Sequence, residues 1–275
     1  MSGRLIEQPV FKVNFTAWKT SVPKLLDACG LDKVLSQLEK KVLIKPNLVE
    51  ASPPPITTPV ELVSSIIDYI RSKNPSLEII IGEGCGSIEY ETPTPFKQLG
   101  YVEMAYKQNV KLVDLNYEKT VSLSKKECRR WPEMHLPEIV MDNFLFSVPV
   151  LKAHSMADVT LTMKNMMGAA PPKHYNAGSW KKSAFHERIQ EAIFDLNRYR
   201  TPDFTLIDAT VGMAESHLWG AHCEPPPNLL IASFDPVAVD AYGTQVLGRD
   251  WRKIGHIKMS DGVLGHAEAE VVEVK

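Results

Sequence analysis

The chain has 275 residues, which allows one large domain or two smaller lobes. Its hydrophobic share of 44% and charged share of 23% are ordinary for a globular protein and exclude disorder as the main state. Thirty-one basic against 33 acidic residues leave a net charge of -2, which argues against a general nucleic-acid or membrane-surface binder.

The opening 13 residues (MSGRLIEQPVFKV) contain no apolar core of about 7–15 residues, so a secretory signal is not expected. No apolar run approaches the roughly 20 residues of a membrane span. Residues 41–45 (KVLIK) read as a buried strand. Thr58, Pro59 and Glu61 read as helix N-cap, first helical residue and capping-box partner. Leu62, Ile66, Ile67 and Ile70 continue at helical spacing until Asn74-Pro75 stops the helix. Residues 77–81 (LEIII) predict the next buried strand, ending in Gly82-Glu83-Gly84. A weaker helix over 96–106 and a strand over 110–115 follow. Strand–helix alternation of this kind predicts an α/β fold with a mixed, mostly parallel sheet and helices on both faces.

Residues 119–135 are polar and predict a hairpin or edge excursion. Residues 143–150 (NFLFSVPV) resume the buried pattern. A helix is expected over 158–167, then a Pro/Gly-rich loop over 169–183. Phe185, Ile189, Ala192, Ile193 and Leu196 mark one face of a further helix. Strands are expected over 204–207 and 229–232. Asp235-Pro236 then opens a helix that runs to Leu247 and stops at Gly248. The expected organisation is one α/β domain over 1–275, or two lobes of about 1–140 and 141–275.

Open α/β sheets bind ligands outside the carboxyl ends of their strands. That rule selects four turns: Lys45-Pro46-Asn47, residues 82–86, residues 152–155 and residues 208–212. Lys45 could bind a phosphate or carboxylate, or simply snorkel from a strand end. The turn of Gly82, Glu83 and Gly84 could bring backbone amides to an anion. It matches neither a dinucleotide fingerprint nor a P-loop, so no nucleotide is assigned.

Residues 152–164 (KAHSMADVTLTMK) are the most informative stretch. His154 and Lys164 lie ten apart, Asn165 follows, and Leu161, Met163, Met166 and Met167 surround them. A lone histidine is more often a satisfied hydrogen-bonding residue. An ammonium in such apolar company, however, is pushed toward acting as a base or nucleophile. His174, Tyr175, Lys181, Lys182 and His186 occupy or follow the long loop, which is a lid or a solvated segment. His217, His222 and Cys223 offer soft ligands but no fourth at known spacing, so the metal is left unassigned. Cys29, Cys85, Cys128 and Cys223 form no CxxC, so no iron–sulfur cluster is expected and a reduced, cytoplasmic setting is.

These residues compose an expected enzyme site with His154 and Lys164 as catalytic groups. Lys45, Asn47, Gly82, Glu83, Gly84, Asn165 and His174 are the expected binders of a small anionic metabolite or cofactor. His154 is expected to act as general acid/base, in redox or isomerisation chemistry. The alternative is a non-catalytic cofactor or metal carrier serving a redox partner. No nucleic-acid or membrane partner is expected. Cofactor identity and oligomeric state stay open.

Six segments also carry a resemblance. They are VLIKPNLVE (42–50), TPVELVSSIIDYI (58–70), IIIGEGCG (79–86), VPVLKAHSMADVTLTMKNMMG (148–168), PDFTLIDATVGM (202–213) and IASFDPVAVDAYG (231–243). Together, and in this order, they resemble the domain-of-unknown-function family 362. The resemblance implies a cytosolic bacterial or archaeal protein. A fainter similarity is to the lactate racemase family, which uses a nickel-pincer nucleotide. It rests on the strand–helix order and the His154/Lys164 spacing, and it implies a cofactor-anchoring lysine at Lys164.

Overall fold

The structure is a computed structural model that describes residues 7–275. The first six residues, part of the stretch read as lacking a secretory core, lie outside the described residues. The strands in chain order are β1 (Val10–Asn14), β2 (Val42–Pro46), β3 (Ile79–Glu83), β4 (Lys111–Asp114), β5 (Thr120–Ser124), β6 (Glu133–Pro137), β7 (Phe144–Val148), β8 (Val150–His154), β9 (Asp158–Thr160), β10 (Phe204–Met213), β11 (Leu229–Ser233) and β12 (Val271–Glu273). The main sheet is ten-stranded, in the order β12-β1-β11-β10-β7-β2-β3-β4, and β8 and β9 extend it beside β10. Strands β10, β7, β2, β3 and β4 run parallel to one another, as alternation with helices requires. Strand β11 pairs antiparallel with both β10 and β1, so the sheet is mixed. It draws strands from both halves of the chain. Strands β5 and β6 form the separate hairpin.

The sheet is covered on both faces because its strands alternate. Leu43, Ile80 and Leu145 enter one core with Ile193, Leu196 and Val239. Val42, Ile44, Ile79, Ile81, Phe144 and Phe146 enter the other with Leu25, Leu62, Ile66 and Ile70. Each such fully buried side chain is worth about 1.5–3 kcal/mol of apolar transfer. Alternation also puts Lys45 on the same face as Leu43, at the carboxyl end of β2.

Several local expectations change, and residues 208–212, expected as a turn, continue strand β10. The helix of residues 60–73 begins with Pro59 in the N-cap position, not Thr58. The Thr58 hydroxyl is used elsewhere: it donates to the Val148 carbonyl at 2.7 Å and accepts from the Asn47 N–H at 2.8 Å. Residues 96–106 form two short helices, Pro93–Gln98 and Tyr101–Lys107, parted at Gly100, whose φ of 80° suits glycine. Residues 158–167 are not one helix. Asp158–Thr160 folds back antiparallel on β8, and only Thr162–Asn165 turns helical before a 3₁₀ turn over Met166–Ala169. Val159 and Leu161 are buried, so the apolar run serves a strand before it serves a helix. Among the described residues, no helix is long and apolar enough to cross a membrane.

Candidate functional site

The carboxyl ends of β2, β3 and β8 open onto a cavity of about 630 Å³. Asn47, Glu83, Gly84, His154, Lys164 and Asn165 line it, joined by Lys152, Lys182, His186 and His217. Its volume lies within the usual range for small-molecule sites, roughly 300–1,000 Å³.

A buried polar network forms its floor. The Lys45 ammonium is fully buried and donates to Glu83 Oε1 at 2.8 Å and Asn165 Oδ1 at 3.3 Å. Glu83 also accepts the Gly84 N–H on Oε1 at 2.7 Å and the Leu48 N–H on Oε2 at 3.0 Å. Asn47 Nδ2 donates to Asn165 Oδ1 at 3.1 Å, and Lys152 Nζ donates to Asn47 Oδ1 at 2.7 Å. The Asn165 amide nitrogen donates to the Lys45 carbonyl and to Ser147 Oγ. The two asparagines therefore join three strand ends, and most of their hydrogen-bonding capacity is spent within the protein.

Two glycines let the turns close over this floor. A Cβ on Gly84 would collide with the Gly168 carbonyl, the Asn116 side chain and Lys182 Nζ. A Cβ on Gly168 would collide with Glu83 and Lys45. Lys182 Nζ ties both turns together, donating to the Gly84 carbonyl at 2.6 Å and the Gly168 carbonyl at 2.8 Å.

Four lysines, Lys152, Lys164, Lys181 and Lys182, line the walls with Glu50, Glu83 and Glu89. Burial lowers Lys182 to about 7. Burial, helped by the Lys164 charge, lowers Lys152 to about 7 as well. Burial lowers Lys164 to about 8. Lys164 differs from the other two: its side chain is half-buried, lines the cavity, and its ammonium has no hydrogen-bond partner among the described residues. The short helix that carries it is fixed by Asp240, a buried carboxyl group whose oxygens accept the Thr162 and Met163 N–H groups at 2.8 and 2.9 Å. Its two oxygens satisfy amides that the helix leaves unpaired.

The histidines are held neutral. His154 Nδ1 accepts the Met156 and Ala157 N–H groups at 3.0 and 3.1 Å, so the ring proton sits on Nε2. Burial, then Lys164 and His217, push its pKa well below the usual range. The His217 ring stacks on it at 3.9 Å and is lowered to about 3, first by burial and then by Lys164. The Nδ1 atoms of His186 and His217 and the Thr160 hydroxyl are buried without protein partners. No group of three or more His, Cys, Asp or Glu among the described residues is placed to hold a metal ion.

The structure gathers Asn47, Glu83, Gly84, His154, Lys164 and Asn165 at one cavity, with Lys45 directly behind it. Gly82 lies inside β3, where a Cβ would meet Leu43 and Leu115, so it packs the core and does not line the cavity. His174 is exposed and stacks on His135 at 4.0 Å, away from the cavity lining. His222 and Cys223 also lie outside the lining. Lys152 was not singled out as a site residue, although a lysine inside the apolar run of residues 148–153 is the same signal that marks Lys45. Lys182 and His186, at the start and end of a 3₁₀ turn, and His217, from a loop, read in sequence as lid or soft-ligand residues and were not placed in this site.

No curated protein matches the chain. Among solved structures, the lactate racemase apoprotein from Thermoanaerobacterium thermosaccharolyticum is similar at 15% identity and a TM-score of 0.49. The likeness covers 91% of this chain and 58% of that one, so this chain spans less than two thirds of its length. A family model described as a domain of unknown function, DUF362, matches residues 42–245, more than half of the chain, and the chain belongs to that family.

Proposed function

We propose that this chain is an enzyme acting on a small organic anion, a metabolite or cofactor, held in the cavity at the carboxyl ends of β2, β3 and β8. The observation that carries this reading is the Lys164 ammonium. It faces the cavity without a protein hydrogen-bond partner, in a lining that also holds Lys152, Lys181 and Lys182; of the lining carboxylates Glu50, Glu83 and Glu89, Glu83 is already committed to Lys45 and two backbone amides. A confined ammonium without a partner favours an anionic ligand, and a bound anion relieves the repulsion between Lys164 and Lys152.

Within this reading Lys152 and Lys164 bind the anion. Lys164, lowered to about 8, has the proton affinity that acid/base work near neutrality requires. That supports isomerisation or another proton transfer over redox chemistry. His154 donates from Nε2–H to a ligand oxygen, a role different from the general acid/base one expected of it from sequence. Its Nδ1 lone pair already receives two amide hydrogens and is not free to take a proton. Asn47 and Asn165 set the positions of Lys152 and Lys45 and do not need to touch the ligand.

Mass analysis of the small molecules retained by the gently purified chain tests the reading. An organic anion recovered with the wild-type chain and lost from Lys152→Met supports it. A neutral or cationic molecule with the same dependence on Lys152 contradicts it.

A further inference from the structure

We propose that Lys164 is a nucleophile that forms an imine with an anionic carbonyl compound, a 2-oxo acid or a phosphorylated aldehyde. The inference rests on the anion-site reading and names the substrate class of that site.

Imine formation needs an amine that is unprotonated, reachable and not already bound. The other lysines around the cavity fail the last condition. Lys45 is held by Glu83 and Asn165, and Lys152 by Asn47 and the Ile56 carbonyl. Lys182 is held by the Gly84 and Gly168 carbonyls, and Lys181 by the Tyr90 carbonyl and Glu91. Lys164 alone among these keeps its nitrogen free and faces the cavity. Burial is a known way to free an amine for this chemistry, and here burial lowers Lys164 to about 8, which leaves a substantial unprotonated fraction near that pH. Asp240 anchors the helix beneath, so the amine stands on a fixed support. Lys152 and the His154 Nε2–H supply donors for the anionic group, which selects charged carbonyls over neutral ones.

In the reaction, the Nζ lone pair forms a bond to the carbonyl carbon and the C=O π electrons move to oxygen. An amine proton passes to that oxygen, giving a carbinolamine. The carbinolamine loses water and leaves a C=N bond to Lys164. Protonation by solvent gives the iminium. One water is released and no oxidant or reductant takes part.

The test uses the full chain and two matched pairs: 2-oxoglutarate with glutarate, and glyceraldehyde 3-phosphate with glycerol 3-phosphate. Each is incubated at pH 8 and treated with borohydride, and the sites of modification are mapped by peptide mass spectrometry. The expected result is a borohydride-dependent adduct on Lys164 with at least one carbonyl probe, at least about tenfold above any other lysine. The non-carbonyl partner of that pair should compete without being trapped. Lys164→Arg should abolish trapping yet retain anion binding, read as a thermal shift, because guanidinium keeps the charge and forms no imine. If neither carbonyl probe is trapped, or labelling falls equally on surface lysines, the proposal is overturned. If trapping fails while glutarate or glycerol 3-phosphate still raises the melting temperature, the imine falls and the anion site stands. If none of the four compounds shifts it, the anion site falls as well.

Discussion

Lys45 and Glu83 meet at 2.8 Å across the neighbouring strands β2 and β3, and neither side chain reaches solvent. The pair sits where the floor of the cavity begins. Burial lowers the Lys45 pKa and the Glu83 carboxylate opposes that effect. Removing one partner leaves the other charge uncompensated in the interior. Glu83→Gln and Lys45→Met should therefore each cost about 3–5 kcal/mol, read by urea denaturation. A loss below about 1 kcal/mol, the range of an exposed pair, would show that the charges are not confined as described.

The glycines over this pair should be intolerant for a steric reason. In Gly168→Ala the new methyl meets the Glu83 carboxylate and the Lys45 side chain. Overpacking of this kind costs about 1–3 kcal/mol. A lowered melting temperature together with weakened anion binding is expected. A variant as stable as the parent would mean that the two turns are not in contact.

The histidine stack predicts two rings that do not titrate near neutrality. His154 is held neutral by two backbone donors and by burial, and His217 is lowered to about 3. In the unfolded chain both would take up protons below about 6.5. Their contribution to stability is thus complete above that pH and is lost as pH falls toward 3. Nitrogen-15 NMR of the imidazoles should show His154 protonated on Nε2 and no inflexion in either ring above pH 5. A ring that titrates between pH 6 and 7 would contradict this.

The lysines give a second pH dependence. Lys152 and Lys182 are lowered to about 7, whereas the unfolded chain holds these protons up to about 10.4. Their contribution is present above the unfolded value and is lost as pH falls through about 10 to about 7. Asp240, raised by burial to about 8, works in the opposite sense between about 4 and 8. The difference between variants isolates the lysine part. Melting temperature against pH should rise less steeply from 7 to 10 in Lys152→Met than in the wild type. Parallel curves would mean that Lys152 keeps its ordinary proton affinity.

Much of the sheet was legible in the sequence. The apolar runs of residues 41–45, 77–81 and 143–150 read as buried strands, the last being the end of β7 and the start of β8, and the rule that ligands sit at carboxyl ends pointed to the candidate cavity. What sequence reading missed depends on contacts between distant segments. Thr58 has the local signature of a helix cap, yet Val148 and Asn47 claim its hydroxyl. Residues 158–167 have an apolar content that fits either period, and pairing with β8 decided for a strand. Gly82 and Gly84 look alike in sequence, but one packs between Leu43 and Leu115 and the other lies beside Lys182. Lys182 reaches the Gly84 carbonyl from a loop on the far side of the sequence, and no short-range pattern encodes that approach.

Calorimetric titration decides whether the cavity binds an anion through its lysines. Wild type and Lys152→Met/Lys164→Met are titrated at pH 7 with glutarate and with glycerol 3-phosphate, alongside thermal melts. Removing buried ammonium groups relieves their desolvation cost, so the double variant should stay folded. Saturable one-to-one binding of at least one anion to the wild type is expected. Affinity should be at least about tenfold lower in the variant, the direction expected when a charge partner is lost. Equal affinity in the two proteins, or no binding of either anion to the wild type, would contradict it.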